Sequence, residues 1–327
     1  MSTTLPRLTS PAPPHRYRRT RVGPWRRGLV LAALALLLGL LLVGHTWIPN
    51  RNGHLGSLVE TFLPWYGLVV PVLLVGALCR RSATAAVAVL VPALVWLSLF
   101  GGLLVDKAGP GSQLTVVSHN VGAGNPDPAH TARVLAASGA DLVALEELTP
   151  QATATYEATL AGTYRYHVVR GTVGMWSRLP LSDDGPPGQM DPSRAMRATV
   201  TTDHGRLAVY VVHLWSVRVS PGEGFSAGGR DAGADALGAA LAADPAERVL
   251  VLGDLNGTLN DRAFAGLTAQ LRSAQAVAGH GFGFSWPATF PVARIDQILV
   301  RGVQPTRSWT LPATGSDHLP VAAGIRW

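Results

Sequence analysis

Cysteine is almost missing: Cys79 is the only one in 327 residues, so neither an intrachain disulfide nor a cysteine-based zinc site can form. Lysine is as scarce, with Lys107 alone. Charged residues of both signs make up only 14% and hydrophobic ones 47%, where soluble proteins carry about 25% charged residues. That shortage excludes a uniformly soluble globule and points to membrane segments. The formal net charge of +7 invites a nucleic-acid reading, but it is unevenly placed. Residues 1–107 hold 11 Lys/Arg and 2 Asp/Glu, whereas residues 108–327 hold 16 Arg and 18 Asp/Glu. A nucleic-acid binder normally carries its basic patch on the binding domain. Composition therefore disfavours nucleic acid as a partner without excluding it, and it implies no protein partner.

Three uncharged apolar stretches occupy 28–49, 61–79 and 82–105. Each reaches the ~20 residues needed to cross ~30 Å of hydrocarbon. Three transmembrane helices are the direct reading. A cleaved signal peptide is the alternative for the first, but no small-x-small cleavage site follows Leu40. A re-entrant hairpin is the alternative for the second. Arg7, Arg16, Arg18, Arg19, Arg21, Arg26 and Arg27 precede the first stretch, and Arg80 and Arg81 separate the second from the third. The other side shows only Arg51 and Lys107. The positive-inside rule then puts the N-terminus in the cytoplasm and everything after the third crossing outside. The Pro- and Arg-rich tail reads as disordered, with the anionic leaflet of the bilayer as its partner.

The chain thus divides into a basic cytoplasmic tail (1–27), an anchor (28–105), a Gly/Pro-rich linker (106–112) and an extracytoplasmic domain (113–327). In the last, 113–119, 141–145, 206–213, 248–252 and 295–301 read as strands. The segments 127–138, 150–160 and 230–243 read as helices. Strands separated by helices imply a layered α/β domain. No internal repeat is visible.

Several strands end abruptly in Asn120, Glu146-Glu147, His213, Asp254-Leu255-Asn256 or Asp296, and Asp317-His318 precedes the last strand. Any one ending is explained by turn chemistry, since Asp and Asn readily start turns. Six together point to one site, because layered folds bring strand ends to a common rim.

These motifs, in order, resemble the endonuclease/exonuclease/phosphatase superfamily of magnesium-dependent phosphoesterases. They read Ser118-His119-Asn120-Val121-Gly122, 141–148 with Glu146-Glu147, Gly174-Met175-Trp176-Ser177-Arg178, Val212-His213-Leu214, Gly253-Asp254-Leu255-Asn256, Arg294-Ile295-Asp296 and Ser316-Asp317-His318-Leu319-Pro320. The resemblance spans nearly all of 113–326. It implies a four-layer α/β sandwich, two packed mixed sheets flanked by helices. One departure is Glu146, where the family often has Gln, so which adjacent acid points inward stays open, with spacing favouring Glu147. The resemblance implies Glu147 as principal metal ligand, with Asn120 and Asp317 as further candidates. Mg²⁺ is the implied cofactor, with Mn²⁺ as an alternative; both suit oxygen donors.

By the same resemblance Asp254 orients or deprotonates the attacking water and Asn256 holds a phosphoryl oxygen. Asp296 steers His318, a cationic donor to phosphate, and His213 is a candidate proton donor to the leaving group. Arg197 matches a phosphate-contacting arginine, its alternative being a solvated strand residue. Arg178 reads as structural, and Trp286 with Phe282 and Phe284 as either core or an apolar rim. His119, His130, His167, His204 and His280 show no zinc-like spacing.

Three substrate classes remain open: nucleic acid for an extracellular nuclease, a phospholipid for a sphingomyelinase-type phosphodiesterase, and a lipid-linked pyrophosphate for a phosphatase. The short linker confines the domain near the bilayer, which favours a lipid-linked phosphate. The whole layout resembles the actinobacterial VanJ-type membrane proteins associated with glycopeptide resistance, which implies dephosphorylation of undecaprenyl pyrophosphate, the spent cell-wall lipid carrier, at the outer face. A catalytically inactive membrane scaffold is the alternative from another class.

Overall fold

The computed structural model describes residues 23–51, 53–220 and 224–327. Arg7, Arg16, Arg18, Arg19 and Arg21 of the basic tail lie outside the described residues.

Two six-stranded mixed sheets form the centre of the C-terminal part. The first holds β1 (Leu114–Asn120), β2 (Leu142–Glu146), β3 (Tyr166–Arg170), β4 (Val173–Ser177), β13 (Gln304–Thr310) and β14 (Val321–Arg326), in the order β13-β14-β1-β2-β4-β3. The second holds β5 (Leu181–Gly185), β6 (Ala195–Thr202), β7 (Gly205–His213), β10 (Val249–Asp254), β11 (Arg272–Ser273) and β12 (Asp296–Arg301), in the order β11-β12-β10-β7-β6-β5. A ribbon of β8 (Val219–Ser220) and β9 (Gly224–Phe225) stands apart.

The period-two alternation of strand side chains builds the layers. Val209 and Val211 of β7, and Leu250 and Leu252 of β10, face the first sheet and meet Val116, Ala144 and Met175. Their neighbours Tyr210, Val212, Val249 and Val251 face outward and pack on Leu237 and Leu241 of α7 (Gly228–Ala243). On the other outer face, Val117, Val143 and Leu145 pack on α5 (Pro128–Ala137) and α6 (Pro150–Leu160) through Leu135, Tyr156 and Leu160. The result is the four-layer α/β sandwich read from the sequence. Both outer helices start where local chemistry says they should. The Asp127 carboxylate accepts the His130 N–H at 2.8 Å, the Thr149 hydroxyl accepts the Ala152 N–H at 3.2 Å, and each cap is followed by a proline.

Strand direction decides where the polar ends gather. β1 runs parallel to β2, with Asn120 opposite Glu146, and β7 runs parallel to β10, with His213 opposite Asp254. β12 is antiparallel to β10, so its first residue, Asp296, also sits opposite Asp254. Endings from both sheets thereby share one rim.

The apolar part has two helices long and apolar enough to cross a membrane. They are α1 (Leu29–Gly44), continuing to Trp47, and α4 (Ala83–Phe100), continuing to Leu103. The second stretch departs from the expected straight span over 61–79. It is a broken pair, α2 (Leu55–Thr61) and Leu63–Cys79, which contains α3 (Val69–Cys79), bent by 62°. Two causes meet at the bend. Pro64 lacks an N–H to continue the helix. Glu60, fully buried, is held away from the apolar bundle by the Arg262 guanidinium at 2.9 and 3.0 Å. The same guanidinium donates to the carbonyls of His45, Thr46 and Ile48 at the end of the first stretch. Arg262 therefore fastens the apolar helices directly to the sandwich. The linker is fastened too, since the Gly109 N–H donates to Thr306 O at 2.7 Å. At the far end of the bundle, the Ser82 and Thr84 hydroxyls donate to the carbonyls of Arg27 and Trp25. Arg26, Arg27, Arg80 and Arg81 thus cluster opposite the sandwich.

Gly253, just before Asp254, has φ +148, and a Cβ there would lie 1.8 Å from Val212 O. Gly253→Ala must push β10 off β7 and is expected to destabilise by about 3 kcal/mol or more. Gly266→Ala, at an open helical position, should leave stability unchanged or slightly raised. Thermal unfolding of the two variants side by side checks this.

Candidate active site

Asp254 is 1% exposed, and its two oxygens are held from both sides. Oδ1 accepts the Asn256 backbone N–H at 2.8 Å, and Oδ2 accepts the Asn120 side-chain amide at 3.0 Å. Asn256 also donates its side-chain amide to Leu214 O at 2.9 Å and to Asp254 Oδ2 at 3.2 Å. Asn256 and Glu147 have φ of 50° and 59°. Left-handed backbone is tolerable for Asn but strained for Glu, and such strain gathers at functional sites.

His318 is tied to Asp296 through Nδ1, 2.9 Å from Oδ2. Asp296 Oδ2 also accepts the Ser285 hydroxyl at 2.5 Å. That leaves His318 Nε2 to face Asp254 Oδ2 at 3.8 Å. Although burial pushes the His318 imidazole down, Asp296 and then Asp254 outweigh it and raise it to about 10. Asp296 is buried as well, yet the imidazolium and the Ser285 hydroxyl hold its carboxyl below the usual range. Asp254 is pushed up to about 7, by burial and then by Asp296, against the pull of His318 and its amide donors.

Glu146 is fully buried, accepts the Ser118 hydroxyl at 3.0 Å, and is pushed well above the usual range by burial and by Asp296. Glu147 lies at the cleft mouth with its side chain 29% exposed. Burial pushes it up, but the Ala123 N–H, the Asn120 amide and His213 prevail and keep it ionised.

His213 is 4% exposed, with Nε2 3.5 Å from Glu147 Oε1 and 3.9 Å from Asp254 Oδ2. Burial, then the Arg194 charge, lowers it to about 4, so it is neutral near pH 7. Asp317 is exposed and accepts the Trp286 indole N–H at 3.3 Å. Glu147, Asp254, Asn256, Asp317 and His318 line one cleft of about 380 Å³. Trp286 lines it too, as rim rather than core, whereas Phe282 and Phe284 stack on each other and reach Trp96, Phe100 and Trp65 of the apolar part.

Arg197 is the exception. Its guanidinium donates to both oxygens of Asp244, at 2.9 and 3.4 Å, in a separate hollow that also contains Arg206 and Ala208. It faces Asp244 because it shares the outer face of the sheet with Tyr210, whose hydroxyl donates to Asp244 at 2.6 Å. Arg194, three residues earlier, lies beside the site instead. It donates to the carbonyls of His213 and Leu214 at 3.1 and 3.0 Å and stacks over Trp215 at 4.5 Å. Arg194 lies in the turn ahead of β6, so the alternation of the strand does not set its direction. Ser285 was equally unmarked in the sequence.

Among the described residues, Asp254, Asp296 and His318 place ligand atoms within 4.8 Å of one another. Asp296 and His318 are already bonded to each other, so the trio is better described as an ion-pair cluster than as a cation cage. The open carboxylate of Glu147 at the cleft mouth and the amide oxygen of Asn120, buried just behind it and accepting the Gly122 N–H at 3.0 Å, are hard oxygen donors that fit a divalent cation of the Mg²⁺ kind.

A group raised on folding, as His318 is, stabilises fully below its unfolded value, ~6.5, and this contribution is lost as pH climbs toward about 10. The thermal midpoint in chelator should therefore fall across that window. Asp296→Asn should flatten this part of the profile, because its imidazole titrates nearer the ordinary value. An unchanged slope would count against the ion pair.

Residues 117–318 match the endonuclease/exonuclease/phosphatase family. No curated protein matches the chain. Among solved structures, D. rerio TDP2 complexed with single strand DNA product is 20% identical, covering 65% of this chain and 99% of that one, with TM-score 0.55. The mannosyl-6-phosphatase of Bacteroides thetaiotaomicron is 15% identical over 66% of this chain and 100% of that one, with TM-score 0.54. The beta toxin of Staphylococcus aureus is 16% identical over 64% and 99%, with TM-score 0.52. At such identities these likenesses establish the shared fold alone. The match over 117–318 covers more than half of the chain, and with it the protein belongs to the endonuclease/exonuclease/phosphatase family of metal-dependent phosphoric ester hydrolases.

Proposed function

We propose that the protein is a membrane-anchored phosphohydrolase that removes the terminal phosphate of undecaprenyl pyrophosphate at the outer face of the membrane. One observation carries the reading. The cleft that holds Glu147, Asp254 and His318 takes part of its wall from Leu58, Thr61 and Phe62, at the bend of the second apolar stretch. A phosphate bound there lies beside the anchor, where a lipid-borne substrate presents its head group. The arginine cluster at the far end of the bundle supports an outward-facing sandwich, because positive residues favour the cytoplasmic side. The whole layout, like that of the VanJ-type proteins, supports a cell-wall lipid carrier as the substrate.

Asp254, with a proton affinity near neutral, accepts the proton of the attacking water, and the Asn120 and Asn256 donors fix its two oxygens. The cationic His318, steered by Asp296, donates from Nε2 to a phosphoryl oxygen. Neutral His213 serves as a hydrogen-bonding partner in this scheme, since its low proton affinity makes it a weak store for a transferable proton. The water oxygen bonds to the terminal phosphorus as the bridging phosphorus–oxygen bond breaks, giving inorganic phosphate and the lipid monophosphate. Glu147 and Asn120, with Asp317 nearby, would hold a Mg²⁺ ion, which when bound would supply positive charge against the phosphoryl oxygens.

Purified protein in detergent should release inorganic phosphate from undecaprenyl pyrophosphate with Mg²⁺ and stop in chelator. Asp254→Ala and His318→Ala should each lower the rate by about 10²–10⁴. Cleavage of sphingomyelin or nicking of plasmid DNA, with no phosphate released from the lipid, would falsify the substrate assignment. Sidedness has its own check through Cys79, which is exposed beside Arg80. An impermeant maleimide added to intact cells should leave it unlabelled and label an Asp203→Cys variant; the reverse pattern places the sandwich inside.

A further inference from the structure

Behind the catalytic cleft, a second cavity of about 130 Å³ lies in the seam between the apolar helices and the sandwich. The two hollows are back to back across the segment that leads into β12. Ala293 and Ile295 line the cleft, Arg294 lines the seam cavity, and Thr61 at the helix bend borders both.

Arg294 is 7% exposed, and its Nε and Nη2 have no hydrogen-bond partner in the protein. Only Nη1 is engaged, donating to Gly283 O at 2.9 Å and approaching Gln275 Oε1 at 3.4 Å. No carboxylate among the described residues forms a salt bridge with it. Arg230, buried more deeply still, has Asp231 and Asp261 at 2.6 Å each. The carboxylate whose charge reaches Arg294, Asp296, is already bonded to His318 and Ser285. Burial lowers the guanidinium to about 10, so it stays charged at neutral pH. An unpaired buried charge is costly, and guanidinium forks suit phosphate oxygens.

Two more groups lining the cavity lack partners: the Thr258 hydroxyl, a donor, and Gln297 Oε1, an acceptor suited to the single P–OH of a monoprotonated phosphate. The cavity far exceeds the ~10–15 Å³ that one water needs. Its opposite wall is apolar, from Phe100 and Leu103 at the end of α4 and from Phe282. Lys107, the only lysine, donates to Ala276 O at 2.6 Å, on a residue that also lines the cavity. Charge inside, a cation at the rim and apolar helix ends alongside describe a pocket for an anionic head.

The geometry points to a second phosphate-binding site, distinct from the catalytic cleft, in which Arg294 clamps a phosphate monoester or inorganic phosphate at the seam between anchor and sandwich. This site does not depend on which substrate the cleft hydrolyses. Its ligand is either the head group of an anionic lipid or free phosphate, and one experiment separates the two.

Full-length protein in neutral detergent with chelator is titrated with potassium phosphate against chloride, and with dioctanoyl phosphatidic acid against dioctanoyl phosphatidylcholine, following the thermal midpoint. The midpoint should rise saturably with a phosphate-bearing ligand and not with its control. Response to phosphate alone identifies free phosphate; response to phosphatidic acid, alone or at lower concentration, identifies a lipid head group. Arg294→Gln should weaken the half-saturation at least about tenfold, the loss expected for a charged hydrogen-bond donor. Should Arg294→Gln fail to fold, Ala276→Glu decides, since it sets a negative charge at an exposed rim position and leaves the guanidinium in place. His318→Ala should keep the response. A wild type that shows no saturable shift, or a shift that survives both seam variants, overturns the proposal. So does a shift lost in His318→Ala, which assigns the anion to the cleft.

Discussion

Three buried carboxyl groups, Glu146, Asp254 and Asp296, crowd around one imidazole, and the site depends on how they share its single positive charge. Three carboxylates at such depth cannot all ionise, because like charges in a low-dielectric interior repel strongly. The surroundings divide the task. Asp296 takes the ion pair with His318 and stays charged, Glu146 has only a serine donor and is pushed well above the usual carboxylate range, and Asp254 is left between them with proton affinity near neutral. That intermediate position is what a general base needs. Each group titrates as its neighbours dictate, so the chemistry belongs to the cluster and not to any one side chain.

The cluster exists only because both sheets end at one rim, and the apolar helices are built onto the same end. Arg262 grips Glu60 and the closing carbonyls of the first apolar stretch, which fixes the bend that lends Leu58 and Phe62 to the cleft wall. The apolar helices are thus part of the cleft wall, and the seam carrying Arg294 lies directly behind it.

Much of this was legible in the sequence for a physical reason. Buried strands of Val and Leu that stop at Asn120, His213, Asp254 and Asp296 announce themselves, because an apolar run ending in a polar group needs a rim. The sandwich and the set Asn120, Glu147, Asp254, Asn256, Asp296 and His318 follow from such endings and from the family resemblance. Other features were hidden. Arg197 points to the outer face of β6 while Arg194, in the turn ahead of that strand, reaches the end of β7, and sequence alone fixes neither the phase of the strand nor where it begins. The bend at Phe62 depends on Arg262, two hundred residues away, pulling Glu60 out of an apolar run. The charge states of Glu146 and His213 depend on depth of burial, which composition does not record.

The division of charge can be observed directly by nitrogen NMR of histidine-labelled protein at pH about 8, above the ordinary histidine range, with His318→Gln and His213→Gln used to assign the signals. The account expects His318 doubly protonated and His213 neutral under the same conditions. A neutral His318, or a cationic His213, would contradict it.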